Sequence, residues 1–172
     1  METRRFSEYG AGTLHKLLID AYSKASELIE RYNEEWKSFD SFVYDNLAFM
    51  DECGFITIKD DNVIGFMSWD PRNLPDSVEM GHNCIIKAYQ GFGKGKKQLL
   101  LSIDKIKNLK PKRIIAKTGN NDFFIPAQRM YLSAGFKCTK SIKRNDDLVA
   151  EAIEYELEIK SSFDPEPSPG LV

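Results

Sequence analysis

A glycine-rich segment between a strand-like stretch and a helix-like stretch constrains the fold of this 172-residue chain more than any other feature. The segment reads Gln-Gly-Phe-Gly-Lys-Gly and spans residues 90–95. Glycines at such a connection let the main chain approach an anion closely, and the N–H groups that open the following helix supply hydrogen-bond donors. The pattern therefore predicts an α/β arrangement with a phosphate-binding turn. The simpler interpretation is a glycine-rich turn beside a solvated basic surface.

The charge distribution also favours an anion site at this segment. The chain has a net charge of −2, whereas residues 87–117 contain ten basic side chains and one acidic side chain, a local charge of +9. The rest of the chain therefore carries −11. The lysines nearest to the glycines are Lys87, Lys94, Lys96 and Lys97. The overall balance predicts neither a nucleic acid nor a membrane as partner.

Two familiar phosphate-binding motifs do not fit the segment. A Walker A motif that starts at Gly91 requires a glycine where Lys96 stands, and the dinucleotide motif GxGxxG requires a glycine at the same position. ATP hydrolysis and NAD binding are therefore disfavoured.

Hydrophobic periodicity predicts helices first and then a region of alternating strands and helices. Apolar residues at helical spacing over 13–32 indicate one long amphipathic helix or two abutting helices, and a further helical piece is expected over 38–50. Strand-like segments over 54–59 and 63–69 flank Asp60-Asp61-Asn62, which favours a hairpin turn. The later predicted elements are strands over 78–86, 113–118 and 152–159, a helix that Pro111 stops, and a short helix over 126–134 that Gly135 closes. A short strand within 3–8 and a loose tail over 161–172 complete a prediction of one α/β (α+β) domain over 1–160.

The glycine-rich segment is the first part of a two-part motif. Gln90, Gly93 and Gly95 form Q-x-x-G-x-G, and residues 127–136 follow A-x-x-x-Y-x-x-x-G-F, with one helix and one strand between the two parts. In these motifs the chain resembles the GNAT superfamily of N-acetyltransferases, over roughly residues 54–160. The resemblance implies a GNAT-like fold, in which helices flank a central mixed, mostly antiparallel sheet.

The resemblance also implies acetyl-CoA as a cosubstrate and requires no metal. In the family, two neighbouring strands separate and the thioester lies in the gap. The strand end at Ile85, Ile86 and Lys87 would pair with the pantetheine arm. The diphosphate would be held by Gln90, Gly91, Phe92, Gly93, Lys94, Gly95 and Lys96. Many members have an asparagine seven residues before the motif tyrosine; this chain has Phe124 there, and Asn120 or Asn121 is the expected substitute.

N-acetylation requires a proton acceptor and a proton donor. An ammonium group cannot attack a carbonyl until a base removes a proton, and a departing thiolate accepts one. The resemblance implies that Tyr131 protonates the thiolate and that Glu79, eleven residues before Gln90, is the general base. His82 on the same strand is the alternative base, because an unperturbed imidazole titrates near neutrality. The structural alternatives are a core aromatic at Tyr131, a solvated carboxylate at Glu79 and a hydrogen-bonded strand residue at His82.

These features predict an enzyme that transfers the acetyl group of acetyl-CoA directly to a primary amine. The acceptor is a small-molecule or peptide amine, and the acidic remainder of the chain favours a polyamine, an aminoglycoside-like amine or a lysine-bearing peptide without ranking them. A CoA-binding regulatory domain without turnover is the alternative from a different class. A nucleic-acid binder that uses residues 87–117 is disfavoured by the pI of about 5.8.

Cysteine usage and targeting signals indicate the cellular compartment in which the protein is expected. Cys53, Cys84 and Cys138 are widely spaced and form no paired motif, so we expect reduced thiols and neither a disulfide nor a zinc site. The sequence shows neither a signal-peptide core nor a stretch long enough to span a bilayer. We therefore expect a cytoplasmic protein, and pairing into a homodimer stays open.

Overall fold

The computed structural model describes residues 1–143 and 151–159. In that part of the chain, seven strands form one sheet in the order β1-β2-β3-β4-β5-β7-β6. The strands are β1 (Glu2–Arg4), β2 (Gly54–Lys59), β3 (Asn62–Asp70), β4 (Ser77–Ile85), β5 (Arg113–Gly119), β6 (Lys137–Lys143) and β7 (Glu151–Glu158). The helices are α1 (Thr13–Ala21), α2 (Ser26–Asp45), α3 (Leu47–Met50), α4 (Lys94–Lys107) and α5 (Ile125–Ser133).

Strand pairing confirms the predicted mixed, mostly antiparallel sheet. Only β4 and β5 run parallel among the described strands, and every other neighbouring pair is antiparallel. Parallel neighbours require a crossover connection, which α4 supplies between β4 and β5. The glycine-rich segment lies at the start of this crossover.

The hairpin predicted at Asp60-Asp61-Asn62 is present. Lys59 pairs with Asn62, so the loop consists of Asp60 and Asp61. Both have positive φ, 50° and 60°, as the two central residues of a type I′ turn require.

Helices cover both faces of the sheet. The ring of Phe66 on β3 lies 6.0 Å from that of Phe39 on α2, and Phe66 pairs with Ile56 across the ladder. Thr57, the next residue on β2, donates a hydrogen bond to Gln98 of α4. Because successive strand residues point to opposite faces, α2 and α4 lie on opposite sides of the sheet. The result is a three-layer arrangement that buries the central strands β2 and β3 on both faces.

Gln98 attaches α4 to three strands. Its side chain is 1% exposed; it accepts a hydrogen bond from Thr57, and its Nε2 donates to the carbonyl oxygens of Phe66 at 2.9 Å and Cys84 at 3.3 Å. Buried amides are stable only when their hydrogen bonds are made. Gln98 therefore fixes the position of α4, and with it the glycine-rich turn, relative to β2, β3 and β4.

The region predicted over 13–32 as one long helix or two abutting helices forms two helices. The chain breaks helical structure between Ala21 and Ser26, and the piece expected over 38–50 is the end of α2 followed by α3. The carboxylate of Asp40, buried in α2, accepts hydrogen bonds from the N–H groups of Gly12, Leu14 and His15. A side chain of α2 thus caps the first turn of α1, which local sequence does not reveal.

β6 is the element that the sequence analysis misses. Its residues are mostly exposed and polar, so the apolar pattern that identifies buried strands is absent. The strand forms by antiparallel pairing with β7 at the edge of the sheet. The short strand expected within 3–8 is β1 followed by a 3₁₀ turn, and the predicted tail over 161–172 lies outside the described residues. None of the described helices has the length and apolar character that a bilayer span requires.

Candidate active site

Two neighbouring strands diverge beside the glycine-rich turn. β4 and β5 pair only from Ser77–Arg113 to Glu79–Ile115, after which β4 continues along β3 to Ile85 and β5 continues along β7 to Gly119. A cleft of about 650 Å³ opens between them and is lined from both strands. This is the separation of strands that the resemblance implies.

A β-bulge shapes the wall of the cleft on β4. Met67 pairs with Asn83 and Trp69 pairs with Met80, so Gly81 and His82 together oppose Ser68. The hydroxyl of Ser68 donates to the carbonyl oxygen of His82 at 2.7 Å, and a Cβ at position 81 would lie 2.6 Å from the Ser68 oxygen. The close approach explains glycine at this position. A bulge also leaves one residue out of the ladder and redirects its neighbours.

The glycine-rich turn has the geometry of an anion site. Gly91 and Gly93 have φ values of 82° and 70°, and Gly93 is the N-cap of α4. The first helical N–H groups, those of Lys94, Gly95 and Lys96, have no acceptor within the helix, because the intrahelical pattern begins with Lys97 bonded to Gly93. Donors, lysine charge and helix dipole therefore coincide at the turn. Phe92 lies at the tip of this turn and is 72% exposed.

Gln90 holds the turn against the rest of the fold. Its Nε2 donates to the carbonyl oxygens of Ala21 at 3.0 Å and Ile85 at 2.8 Å. The side chain thus ties the end of β4 to the end of α1. This contact gives the motif glutamine a structural reason that involves no ligand.

The end of β4 already uses main-chain donors that the resemblance assigns to the pantetheine arm. The N–H of Ile86 donates to Ile64 at 2.8 Å, and the N–H of Lys87 donates to the Asp20 carboxylate at 2.7 Å. Ile85 lines the cleft. Pairing of Ile85, Ile86 and Lys87 with a ligand stays a prediction, and for Lys87 it requires Asp20 to move.

Glu79 lies in the cleft but is engaged by a lysine. The Nζ of Lys117 on β5 lies 2.8 Å and 2.9 Å from the two carboxylate oxygens of Glu79. The pair spans the point at which β4 and β5 separate. Lys117 belonged to the basic segment in the sequence, but its partner lies 38 residues away along the chain, so local patterns could not identify the pair.

His82 also lies in the cleft, in a less polar setting. Its ring packs 4.6 Å from that of Phe39, and its Nε2 lies 3.4 Å from a carboxylate oxygen of Glu35. Burial lowers the pKa of His82 below 6.5, and the nearby Glu35 opposes that shift without cancelling it. The imidazole is therefore neutral near pH 7.

Tyr131 is both a core aromatic and a lining residue. It is 3% exposed, and its ring lies 5.4 Å from Phe136 and 5.7 Å from Tyr155. Burial raises the pKa of the Tyr131 hydroxyl, while a hydrogen bond with Asn83 opposes the shift. The phenol therefore stays protonated at neutral pH and is able to donate a proton.

Asn121 and Phe124 occupy different sides of this region. The Asn121 side chain accepts a hydrogen bond from the N–H of Phe123 at 3.1 Å and lines a second cavity of about 620 Å³, formed with residues 24–28. Phe124 lines the main cleft. The assignment of Asn121 to the cosubstrate stays a prediction.

The sequence analysis did not find one wall of the cleft. Four of its members come from the end of α1 and from α2: Tyr22, Tyr32, Glu35 and Trp36. Helical spacing marked Tyr22 and Tyr32 as apolar positions of a helix, the predicted helical ranges did not include Trp36, and nothing in the local sequence placed Glu35 beside His82. Among the described residues, no group of three or more His, Cys, Asp or Glu side chains is arranged to hold a metal ion.

Known proteins share this fold. The Acetyltransferase (GNAT) family matches residues 14–136. A GNAT-family structure from Desulfovibrio desulfuricans has a TM-score of 0.73 at 14% identity and covers 91% of this chain and 96% of its own. An aminoglycoside 6′-N-acetyltransferase complexed with coenzyme A has a TM-score of 0.71 at 12% identity, with coverages of 95% and 100%. An aminoglycoside 6′-acetyltransferase type Ii has a TM-score of 0.69 at 14% identity, with coverages of 97% and 100%.

No curated protein matches the sequence significantly. At identities this low, the structural likeness concerns the fold alone. The family match, in contrast, covers more than half of the chain and includes the diverging strands, the glycine-rich turn and the motif tyrosine. The chain belongs to the GNAT family of acetyltransferases.

Proposed function

We propose that the protein is an acetyl-CoA-dependent N-acetyltransferase that acts directly on a primary amine. The observation that carries the proposal is the cleft between β4 and β5, which is lined by a neutral histidine and a protonated tyrosine and extends to Gln90 at the start of the glycine-rich turn. Family membership supports acyl transfer, and the cleft supplies the groups that transfer to an amine requires.

The glycine-rich turn fits the diphosphate of coenzyme A. The main-chain N–H groups of residues 94–96 lack helical acceptors, and Lys94, Lys96 and Lys97 add positive charge around them. Bound acetyl-CoA would supply an activated acyl group as a thioester. The bulge at Gly81 and His82 offers a main-chain donor for the negative charge that develops on the carbonyl oxygen.

His82 is the general base that the geometry favours. A base must be unprotonated and free to take a proton from the ammonium group. The partly buried imidazole of His82 is neutral near pH 7, whereas the Glu79 carboxylate is held by two contacts with Lys117. Glu79 remains the alternative, with its ion pair released when the acceptor binds.

Tyr131 is the proposed general acid. Its raised pKa keeps the phenol protonated at neutral pH, so the hydroxyl is able to donate a hydrogen bond, and then its proton, to the sulfur as the thiolate departs. Asn83, which hydrogen-bonds to Tyr131, holds the hydroxyl at the cleft.

Release of free thiol from acetyl-CoA, measured against a panel of primary amines, tests this function. Release should require an amine, and Tyr131→Phe should reduce it about 100-fold. Tyr155→Phe is the matched control, because it removes the same group from a neighbouring buried ring that does not line the cleft. His82→Gln and Glu79→Gln identify the base, since the base variant should lose more activity.

Calorimetric titration with coenzyme A accompanies the kinetic measurement. Binding without release for any amine in the panel would favour the alternative of a CoA-binding regulatory domain. Absence of binding to the folded protein would overturn both functions.

A further inference from the structure

We propose that the acceptor is a primary monoamine with an apolar, aromatic body, and that it lies against an aromatic wall of the cleft. The aromatic wall consists of Tyr22, Tyr32, Trp36, Phe123 and Phe124. This inference rests on the proposed N-acetyltransferase function and narrows its substrate class. The family match and the structural neighbours do not assign an acceptor to this chain.

The aromatic wall is continuous. The Tyr22 ring lies 4.8 Å from Trp36 and 5.1 Å from Phe123, and Phe123 lies 5.2 Å from Phe124. Tyr32 extends the wall along α2, 6.3 Å from Trp36. Tyr22 thus connects the part of the wall from the two N-terminal helices to the part that precedes α5. Burial raises the pKa of Tyr22, so the wall carries no charge from that phenol.

A single carboxylate is placed to meet an ammonium group at this wall. Glu35 is 59% exposed, follows Tyr32 by three residues on α2 and lies 3.4 Å from His82. Because the His82 ring is neutral, it does not compensate the Glu35 charge. The other lining carboxylate, Glu79, is neutralised by Lys117. An ammonium group near Glu35 would also be within reach of the proposed base.

The charge balance of the cleft disfavours acceptors with several positive charges. The charged side chains that line it among the described residues are Lys24, Glu35, Glu79 and Lys117, which cancel. A polyamine or an aminoglycoside would bring additional ammonium groups toward Lys24 and Lys117. An aromatic monoamine instead leaves one cation at Glu35 and stacks its ring on the wall, where offset and edge contacts are favourable.

The bonding changes that follow are those of a simple transfer. The amine nitrogen forms a bond to the acetyl carbon as the carbon–sulfur bond breaks. The nitrogen loses two protons in all. One leaves the ammonium group for solvent through His82 before the attack, and the second leaves the nitrogen as the amide forms. Tyr131 gives a proton to the sulfur and is reprotonated by the second of these protons, so the products are the amide, free coenzyme A and one proton released to solvent.

Four amines distinguish the acceptor classes: phenethylamine, propylamine, spermidine and kanamycin. We expect kcat/KM for phenethylamine to exceed that for propylamine, a primary amine with a short alkyl chain and no ring, by about tenfold or more. We also expect it to exceed the values for spermidine and kanamycin. The inference is overturned if propylamine equals phenethylamine or if either polycation is the best substrate.

Variants locate the preference at the aromatic wall. Phe123→Ala, at a partly exposed position, should raise KM for phenethylamine about tenfold and change the kinetics with propylamine little. Phe42→Ala is the matched control, because Phe42 is an exposed phenylalanine of α2 that does not line the cleft. Glu35→Gln should weaken both monoamines equally. Equal effects of Phe123→Ala and Phe42→Ala would contradict the assignment.

Calorimetry separates this inference from the proposed function. Phenethylamine titrated into protein saturated with coenzyme A should bind more tightly than spermidine, and Phe123→Ala should reduce the difference by weakening the binding of phenethylamine. This result would support the subsite even if no amine is turned over, whereas tighter binding of spermidine would refute it. Failure of coenzyme A itself to bind would refute the proposed function, and this inference with it.

Discussion

Replacing Gly93 with alanine isolates the contribution of the turn's backbone to coenzyme A binding. Gly93 has a φ of 70°, and no atom lies within 4 Å of the position that a Cβ would take. An added methyl group therefore meets no steric obstacle, and its cost is conformational. The left-handed region costs an L-residue about 1–2 kcal/mol relative to ordinary backbone.

The cost should appear as lost affinity. Because no neighbour packs against position 93, we expect the variant turn to relax toward negative φ in the free protein. Binding of the diphosphate must then restore the original turn. A cost of about 1–2 kcal/mol corresponds to a rise in Kd for coenzyme A of about 5–30-fold, which calorimetric titration measures directly.

Gly12→Ala is the matched control. Gly12 is also an N-cap glycine with positive φ, 88°, and with open space around its Cβ position, but it lies at the far end of α1 from Gln90. Its N–H is held by Asp40 at 2.6 Å, so the strain should lower the free energy of unfolding by about 1–2 kcal/mol and leave Kd unchanged. A Kd for Gly93→Ala within twofold of wild type would refute the reasoning.

Three further perturbations test the groups around the site. Burial lowers the pKa of His82 below 6.5, so His82 takes up a proton at higher pH in the unfolded chain than in the folded protein. As pH falls from about 7 to about 5, the wild type should therefore lose more free energy of unfolding than His82→Gln, as urea unfolding measures. Parallel pH curves for the two proteins would argue against this. Gln98→Leu leaves the buried Thr57 hydroxyl without its acceptor and removes the donor to Phe66 and Cys84, which should cost about 1–3 kcal/mol; Thr57→Val should restore the part that comes from the hydroxyl in the double variant. Asp40→Ala removes the cap of α1 and should cost about 1–2 kcal/mol in thermal unfolding, whereas exposed Asp45→Ala should cost little.

The parts of the fold that depend on local signals were predictable. The hairpin turn at Asp60 and Asp61 and the glycine-rich turn before α4 are specified by residues that are adjacent in sequence. The same holds for α5, where Gly135 follows the helix with a φ of 95°. Two motifs at the correct separation were therefore enough to predict the sheet type and the family.

The parts that depend on packing between distant segments were not predictable. Glu35 reaches His82 only because α2 packs across β4, and Lys117 reaches Glu79 only where two strands diverge. The sequence shows both carboxylates but cannot show which one a lysine neutralises. β6 was missed for a different reason, since an exposed edge strand has no apolar face to signal it.

Hydrogen exchange of the main-chain amides in the glycine-rich turn tests the central claim most directly. The account predicts that acetyl-CoA slows exchange of the amides of residues 91–96 by about tenfold or more, because the diphosphate becomes their acceptor. The first turn of α1, which Asp40 already caps, should show no such change. Unchanged exchange at residues 91–96 in protein saturated with acetyl-CoA would contradict the account.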